Sequence, residues 1–277
     1  MLYLVATPIG NLKDMTFRAV ATLMEVDAIA CEDTRVSSKL LSHYAISKPL
    51  LVYHDHNADH MRPRLLSLLK EGKKIAYITD GGMPLISDPG FKLVQACQQE
   101  NIPYTVIPGV SAPVTALCLS GISPSRFFFC GFLPPKQGSR KKAFEELRAH
   151  QETLLFFESP RRLLAFLKDG LDVLGDREGA VCREMTKLYE EVQKGPLSKL
   201  IAHYETTPAR GEVVVVIEGA SLNGSVVSED LETYLQKALE MHSVKDAVEL
   251  VSKAYGLPKR EVYHHALTLK SKETRLP

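Results

Sequence analysis

The sequence has no apolar run long enough to cross a membrane as a helix. It also lacks a C-x-x-C pair. Its five cysteines (Cys31, Cys97, Cys118, Cys130 and Cys182) are scattered and odd in number, which suits reduced thiols in a cytosol better than a disulfide frame or a zinc site. Charge of one sign is missing too: 34 Lys and Arg stand against 33 Asp and Glu, a formal net charge of +1. The molecule as a whole is therefore no electrostatic trap for nucleic acid, and any RNA contact needs a local basic patch. No basic leader precedes the apolar start at 1–6, which reads as a first strand rather than a signal peptide. A cytoplasmic protein with no membrane partner is the expectation. Neither a Walker phosphate loop nor a complete G-x-G-x-x-G occurs.

What remains is an ordinary globular composition, 45% hydrophobic and 24% charged over 277 residues, enough for two compact domains. Short β-like runs at 2–6, 28–30, 50–53, 74–78 and 104–107 alternate with amphipathic stretches at 16–24, 37–44, 59–70 and 91–99. Such alternation predicts an α/β fold with a parallel or mixed sheet covered by helices. After a Ser/Gly/Pro-rich break at 120–126 it resumes, with strands at 127–131, 153–157, 180–184 and 212–217 and helices at 142–149 and 163–173. The expected domains are 1–120 and 125–220, followed by a polar linker at 221–228 and a helical tail over 228–277. Within the tail, helices are expected at 230–241, 244–255 and 259–269, with a stop signal at 255–258. Segment 134–142, with Pro, Gly and basic residues, is expected to be an exposed loop.

Three small-residue segments each follow a strand and precede a helix: 6–12 (A-T-P-I-G-N-L), 79–90 (T-D-G-G-M-P-L-I-S-D-P-G) and 107–113 (I-P-G-V-S-A-P). Open α/β sheets bind ligands at the carboxyl ends of their strands. Asp14 or Thr16 is expected to cap the first following helix, and Ser87 or Asp88 the second. Alone, 79–90 is as readily a structural turn, 6–12 is a weak signal and Ser111 in 107–113 is more readily a helix cap, but three such loops on one rim of a sheet make a pocket wall. His54, Asp55, His56 and His60 form a polar cluster that favours an exposed or RNA-facing loop over a metal site, and no metal is expected.

These loops, together with C-E-D-T-R at 31–35, G-F-L-P-P-K at 131–136, F-F-E-S-P-R at 156–161, R-E-M-T-K-L-Y-E-E at 183–191 and the strand at 211–217, occur in the order of a known family. The chain resembles the tetrapyrrole-methylase superfamily of S-adenosylmethionine-dependent methyltransferases. Within it, E-S-P-R and R-E-M-T-K-L-Y-E-E resemble the branch that methylates the ribose 2′-hydroxyl of a cytidine in 16S ribosomal RNA, in the decoding region of the small subunit. Two positions depart from the family: Gly81 replaces a usual alanine, and Arg161-Arg162 stands where His-Arg is frequent.

The resemblance implies two αβα domains with a cofactor cleft between them, a small C-terminal helical module and a homodimer. For S-adenosylmethionine it implies Ile9, Gly10, Asp80, Gly81, Gly82, Met83, Ile86, Ser111, Ala112, Phe157, Met185 and Ala209. To align and deprotonate the ribose hydroxyl, the candidates are Asp33, Glu158, Glu184 and Lys187. Arg35, Arg140, Lys141, Arg161, Arg183, Lys259 and Arg260 are the candidates for 16S RNA on the small ribosomal subunit. The alternatives are a same-superfamily enzyme acting on a corrinoid precursor or a protein, and a non-catalytic ribosome-binding module.

Overall fold

The computed structural model describes residues 1–221, 229–255 and 259–273. The expected linker beyond Ser221 and residues 256–258 of the expected turn lie outside them. The chain forms two compact units, Met1–Arg148 with Glu152–Glu218, and Ala149–Gln151 with Gly219–Pro277.

The first unit holds two five-stranded sheets. In the first, β1 (Leu2–Val5), β2 (Ala28–Cys31), β3 (Leu50–Val52), β4 (Ile75–Ile78) and β5 (Tyr104–Ile107) run all parallel in the order β3-β2-β4-β1-β5. Parallel strands need helical crossovers, which cover both faces. Helices α1 (Phe17–Glu25) and α2 (Thr34–His43) pack on one face, around Val5, Ile29, Ala76 and Ile78. On the other, α3 (Ala58–Lys70) and α4 (Phe91–Gln99) pack around Leu2, Leu4, Ile75 and Tyr77. Alternate residues of β1 and β4 thus serve opposite layers, as the two-residue pleat requires. Thr16 caps α1, its hydroxyl accepting from Ala19 N–H at 3.1 Å.

The next helix, α5 (Ala112–Ser120), packs on the second sheet, against β7 (Thr153–Glu158), β8 (Glu178–Arg183) and β10 (Val213–Ile217). That sheet is completed by β6 (Phe127–Phe132) and β9 (Glu191–Pro196), in the order β6-β7-β10-β8-β9. Only β6 and β7 are parallel; the other pairs are antiparallel. Its opposite face carries α6 (Gln137–Leu147), α7 (Leu163–Leu174) and α8 (Leu197–Thr206). There Phe144, Phe156 and Phe166 meet edge to face with centroids 5.0–5.8 Å apart.

Helix α6 begins at Gln137, inside the loop expected over 134–142, and continues into the helix expected at 142–149. The basic stretch has an inward side, on which Arg140, Phe144 and Leu147 are buried. Arg140 donates through Nε to Asp169 at 2.8 Å and through Nη1 to the Pro135 carbonyl at 3.1 Å, while Gln137 donates to the other Asp169 oxygen at 2.9 Å. A guanidinium so enclosed is committed to the core, and Arg140 is removed from the RNA-facing candidates. The cap expected before α4 is also corrected: its N-cap is Gly90, at φ +119°, with no side-chain cap bond. A Cβ there would lie 2.6 Å from the ring of buried Tyr77, so both the backbone angle and the close approach demand glycine.

The second unit contains α9 (Glu229–Met241), α10 (Val244–Tyr255) and α11 (Lys259–Glu273). They share an apolar core of Leu235, Ala238, Ala247, Val248, Val251, Val262 and Ala266. Ser243 caps α10, accepting from Asp246 N–H at 3.3 Å and donating to its carboxylate at 2.6 Å.

Candidate functional site

A cavity of about 740 Å³ opens in the first unit, lined from both sheets. On the first-sheet side stand the loops after β1 and β4. Thr7 and Gly82 exchange both backbone hydrogen bonds, each at 2.9 Å, so two loops distant in sequence are fastened together. Gly81 passes close to the Pro8 carbonyl. Asp80 accepts from Asp33 N–H at 3.3 Å, and burial pushes its carboxyl above the ordinary value. Further along the same loop, burial and the nearby Asp80 carboxylate push Asp88 up to about 6. Ser37 and Leu40 of α2, with Thr79, also line the cavity. The side chains of Ser37 and Thr79 are buried, beside Cys31 and Asp88 respectively.

From the second sheet come Phe132, Phe157, Glu158, Met185, Lys187 and the segment 211–214. Phe157 sits between Phe129 and Phe132, with centroids at 5.1 and 5.4 Å. Glu158 has a fully buried side chain held by Arg162 at 2.9 Å and by Ser159 N–H at 2.6 Å. Lys187 Nζ is 2.9 Å from Glu184 Oε1 and 3.0 Å from Glu212 Oε2. Glu184 Oε1 also accepts Glu212 N–H at 2.8 Å. Burial works against both charges, but the hydrogen bonds among these groups prevail: Lys187 is held above its ordinary value and Glu184 below. The ammonium therefore persists at neutral pH, which makes Lys187 a cation to hold an oxygen rather than a base to take its proton.

Two glycines make this arrangement possible. At Gly10 a Cβ would lie 2.5 Å from Lys187 Cγ, so the lysine stem crosses the β1 loop only because no side chain is there. At Gly211, φ +77°, a Cβ would lie 2.2 Å from Glu184 Oε1.

The cavity thus brings together Ile9, Gly10, Asp80, Gly81, Ala112, Phe157 and Met185 of the expected cofactor set, with Glu158 and Lys187 of the expected catalytic set. Gly82, Met83, Ile86, Ser111 and Ala209 are not among the lining residues. Glu184 reaches the site through Lys187. Asp33 caps α2 and grips Arg35 at 2.5 Å, whose hydrogen bond lowers its carboxyl to about 2; a carboxylate so acidic is a poor base. Among the RNA candidates, Lys141 pairs with Asp172, Arg183 with Glu191 and Lys259 with Glu249. Arg161 is exposed with no ion pair among the described residues. The side chain of Arg260 lies outside the described structure. Sequence reasoning gave no site role to Ser37, Lys39, Phe132 or residues 211–214, although Phe132 and 211–214 lie in the family stretches at 131–136 and 211–217. Helix-facing and strand-end positions carry no signal of their own. His54 and His56 approach at 5.8 Å between ring centroids. Among the described residues no three His, Cys, Asp or Glu side chains gather to hold a metal, and no helix is long and apolar enough to cross a membrane.

Comparison with known proteins agrees with this architecture. Residues 1–201 match the model of the Tetrapyrrole (Corrin/Porphyrin) Methylases, and residues 225–270 match the RsmI C-terminal HTH domain. Cobalt precorrin-4 methyltransferase has a similar fold, at TM-score 0.58 and 18% identity over 78% of this chain and 94% of that one. Diphthine synthase does too, at TM-score 0.62 and 14% identity over 79% and 89%. Sequence relatives named ribosomal RNA small subunit methyltransferase I are nearer. Those of Streptococcus pyogenes serotype M1 and Bacillus subtilis are 43% and 44% identical, over 95% of this chain and 93% and 92% of their own. That of Thermotoga maritima is 47% identical over 79% of this chain and 98% of its own. The chain belongs to the tetrapyrrole (corrin/porphyrin) methylase family, alongside ribosomal RNA small subunit methyltransferase I.

Proposed function

We propose that the protein methylates the ribose 2′-hydroxyl of a cytidine in 16S ribosomal RNA, in the decoding region of the small subunit, using S-adenosylmethionine, and that it does so in the cytoplasm as a homodimer. With this goes a division into domains at 1–120, 125–220 and 228–277. The observation that carries the reading is the pairing of a backbone-built cradle with a fixed ammonium in one cavity. The names of the nearer relatives supply the substrate class.

The walls fit the cofactor. Apolar Ile9, Leu40, Phe157 and Met185 alternate with polar Ser37, Thr79 and Asp80, as an amphiphilic ligand with one polar and one flat end requires. Bound there, S-adenosylmethionine would supply a methyl group on a sulfonium, already a good leaving group. The protein's share is orientation and charge. Lys187 offers an ammonium that can hold the acceptor oxygen and stabilise it as its proton leaves. Glu212, 77% exposed on its side chain, is the carboxylate from which that proton can reach water. Glu158, saturated by Arg162 and a backbone N–H, shapes the floor.

The test is incubation with methyl-labelled S-adenosylmethionine and unmethylated small ribosomal subunits, followed by mapping. Label in 16S RNA, with the adjoining phosphodiester resistant to alkali, is the expected result. Label on a base overturns the ribose chemistry. Binding of the cofactor without transfer to the subunit shifts the reading to a corrinoid or protein acceptor.

A further inference from the structure

The turn joining β8 to β9 does more than carry Lys187. Its ends are pinned: Lys187 N–H donates to the Glu184 carbonyl at 3.0 Å, Glu190 N–H to the Lys187 carbonyl at 3.2 Å, and Thr186 N–H to the Glu190 carboxylate at 2.6 Å. Glu184 and Thr186 both take left-handed backbone angles, φ +51° and +66°, which the surrounding bonds must hold. This fastened turn keeps two apolar side chains in water, Leu188 at 87% and Tyr189 at 70% exposure. They follow directly on the residue whose ammonium lines the cavity.

We propose that Leu188 and Tyr189 form a stacking platform for an unpaired base of the RNA strand that carries the acceptor ribose. This rests on the RNA reading above. A ribose can reach the residues lining this cavity only if its strand is locally unpaired and its bases are splayed, and splayed bases are caught by exposed aromatic rings. Charge argues for the same partner. Carboxylates of Glu190 and Glu212 border the turn and repel phosphate, so the tip suits a neutral flat group with amino donors. Phosphates have another place: Lys39 lines the cavity, Arg161 follows the lining residue Pro160, and Arg210 precedes the lining residue Gly211. None of these three side chains is in an ion pair among the described residues. The strand would lie with its backbone along these cations and one base on Tyr189.

The test compares transfer to small subunits by the unaltered protein and by Tyr189→Ala and Tyr189→Phe. Tyr189→Ala should raise KM for the subunit about tenfold, the loss of one stacked base, with KM for S-adenosylmethionine unmoved. Tyr189→Phe, which keeps the ring, should recover most of that loss. An unchanged subunit KM in Tyr189→Ala overturns the platform alone; no transfer by the unaltered protein overturns the RNA reading and the platform with it. Because the chain contains no tryptophan, Tyr189→Trp gives a single indole reporter. Its emission should be quenched by an unpaired oligocytidine strand and not by duplex RNA. Emission that instead shifts when the protein alone is concentrated marks a second copy of the chain on the turn, and overturns the proposal.

Discussion

The two sheets meet one cavity with different equipment: the first contributes closely packed backbone at 7–10 and 79–81, with Asp80 and Lys39 beside it, the second the ion-paired side chains of Glu158, Lys187 and Glu212. The difference follows from the strands. An all-parallel sheet ends every strand on the same side, so its loops lie together and can be built from glycine and proline turns. The mixed sheet brings strand ends and a hairpin turn to the cavity, and a hairpin can hold a long side chain at a fixed place. Recognition and reaction are thereby given to separate halves, and each half can be broken without the other.

The largest expected effect is on the charged half. Lys187→Met keeps the stem across Gly10 and removes the ammonium. It should lower the methyl-transfer rate about a hundredfold to a thousandfold, the range for losing one group that stabilises a developing oxyanion. Cofactor affinity measured by calorimetry should change little. Gly10→Val strikes the first half: its branched side chain must displace the Lys187 stem or the loop. Cofactor affinity should fall about tenfold or more, the equivalent of roughly 1.4 kcal/mol, and the rate at saturating cofactor should fall too, because Lys187 moves. An equal loss of affinity in Lys187→Met and Gly10→Val would erase the division between the halves.

A smaller effect concerns the loop that supports the cradle. Asp88 has a folded-state value near 6, raised by burial and Asp80, against an ordinary value near 4. The folded state therefore binds this proton more tightly than the unfolded one, and stability falls as pH rises from about 4 through about 6. Asp88→Asn should flatten that slope in urea titrations and add about 1 kcal/mol at pH 8 once solvent screening is allowed for. The smallest effect belongs to Gly81→Ala. Gly81 is not in the left-handed region, and its Cβ would stand 3.3 Å from the Pro8 carbonyl, a gap closed by a shift of a few tenths of an ångström. Cofactor affinity should stay within about twofold, less than about 0.5 kcal/mol.

Legibility in the sequence also differed between the halves. Helices α4 and α10 begin and end where their apolar spacing places them, at Phe91–Gln99 and Val244–Tyr255, because one face is buried along the whole length. Strand β9 was invisible: Glu191–Pro196 reads E-V-Q-K-G-P and forms an edge paired on one side only, so it needs no apolar alternation. Helix α8, behind it, went with it. Helix α6 was legible only from 142 on; its first turn was hidden, since composition does not tell which arginine will find a buried aspartate 29 positions on. At the site, loops after strands were legible because turn chemistry is local. Glu212 was not, because its role comes from Lys187, 25 residues earlier in the chain.

The reciprocal bridge between Thr7 and Gly82 has a consequence for the resting protein. Two loops separated by more than seventy residues are already closed on each other, so the ordering entropy of the cradle belongs to folding rather than to ligand capture. The amide protons of Thr7 and Gly82 should then exchange with deuterium as slowly as those of the neighbouring strands, with or without ligand. The same clasp makes either loop intolerant of a single inserted residue.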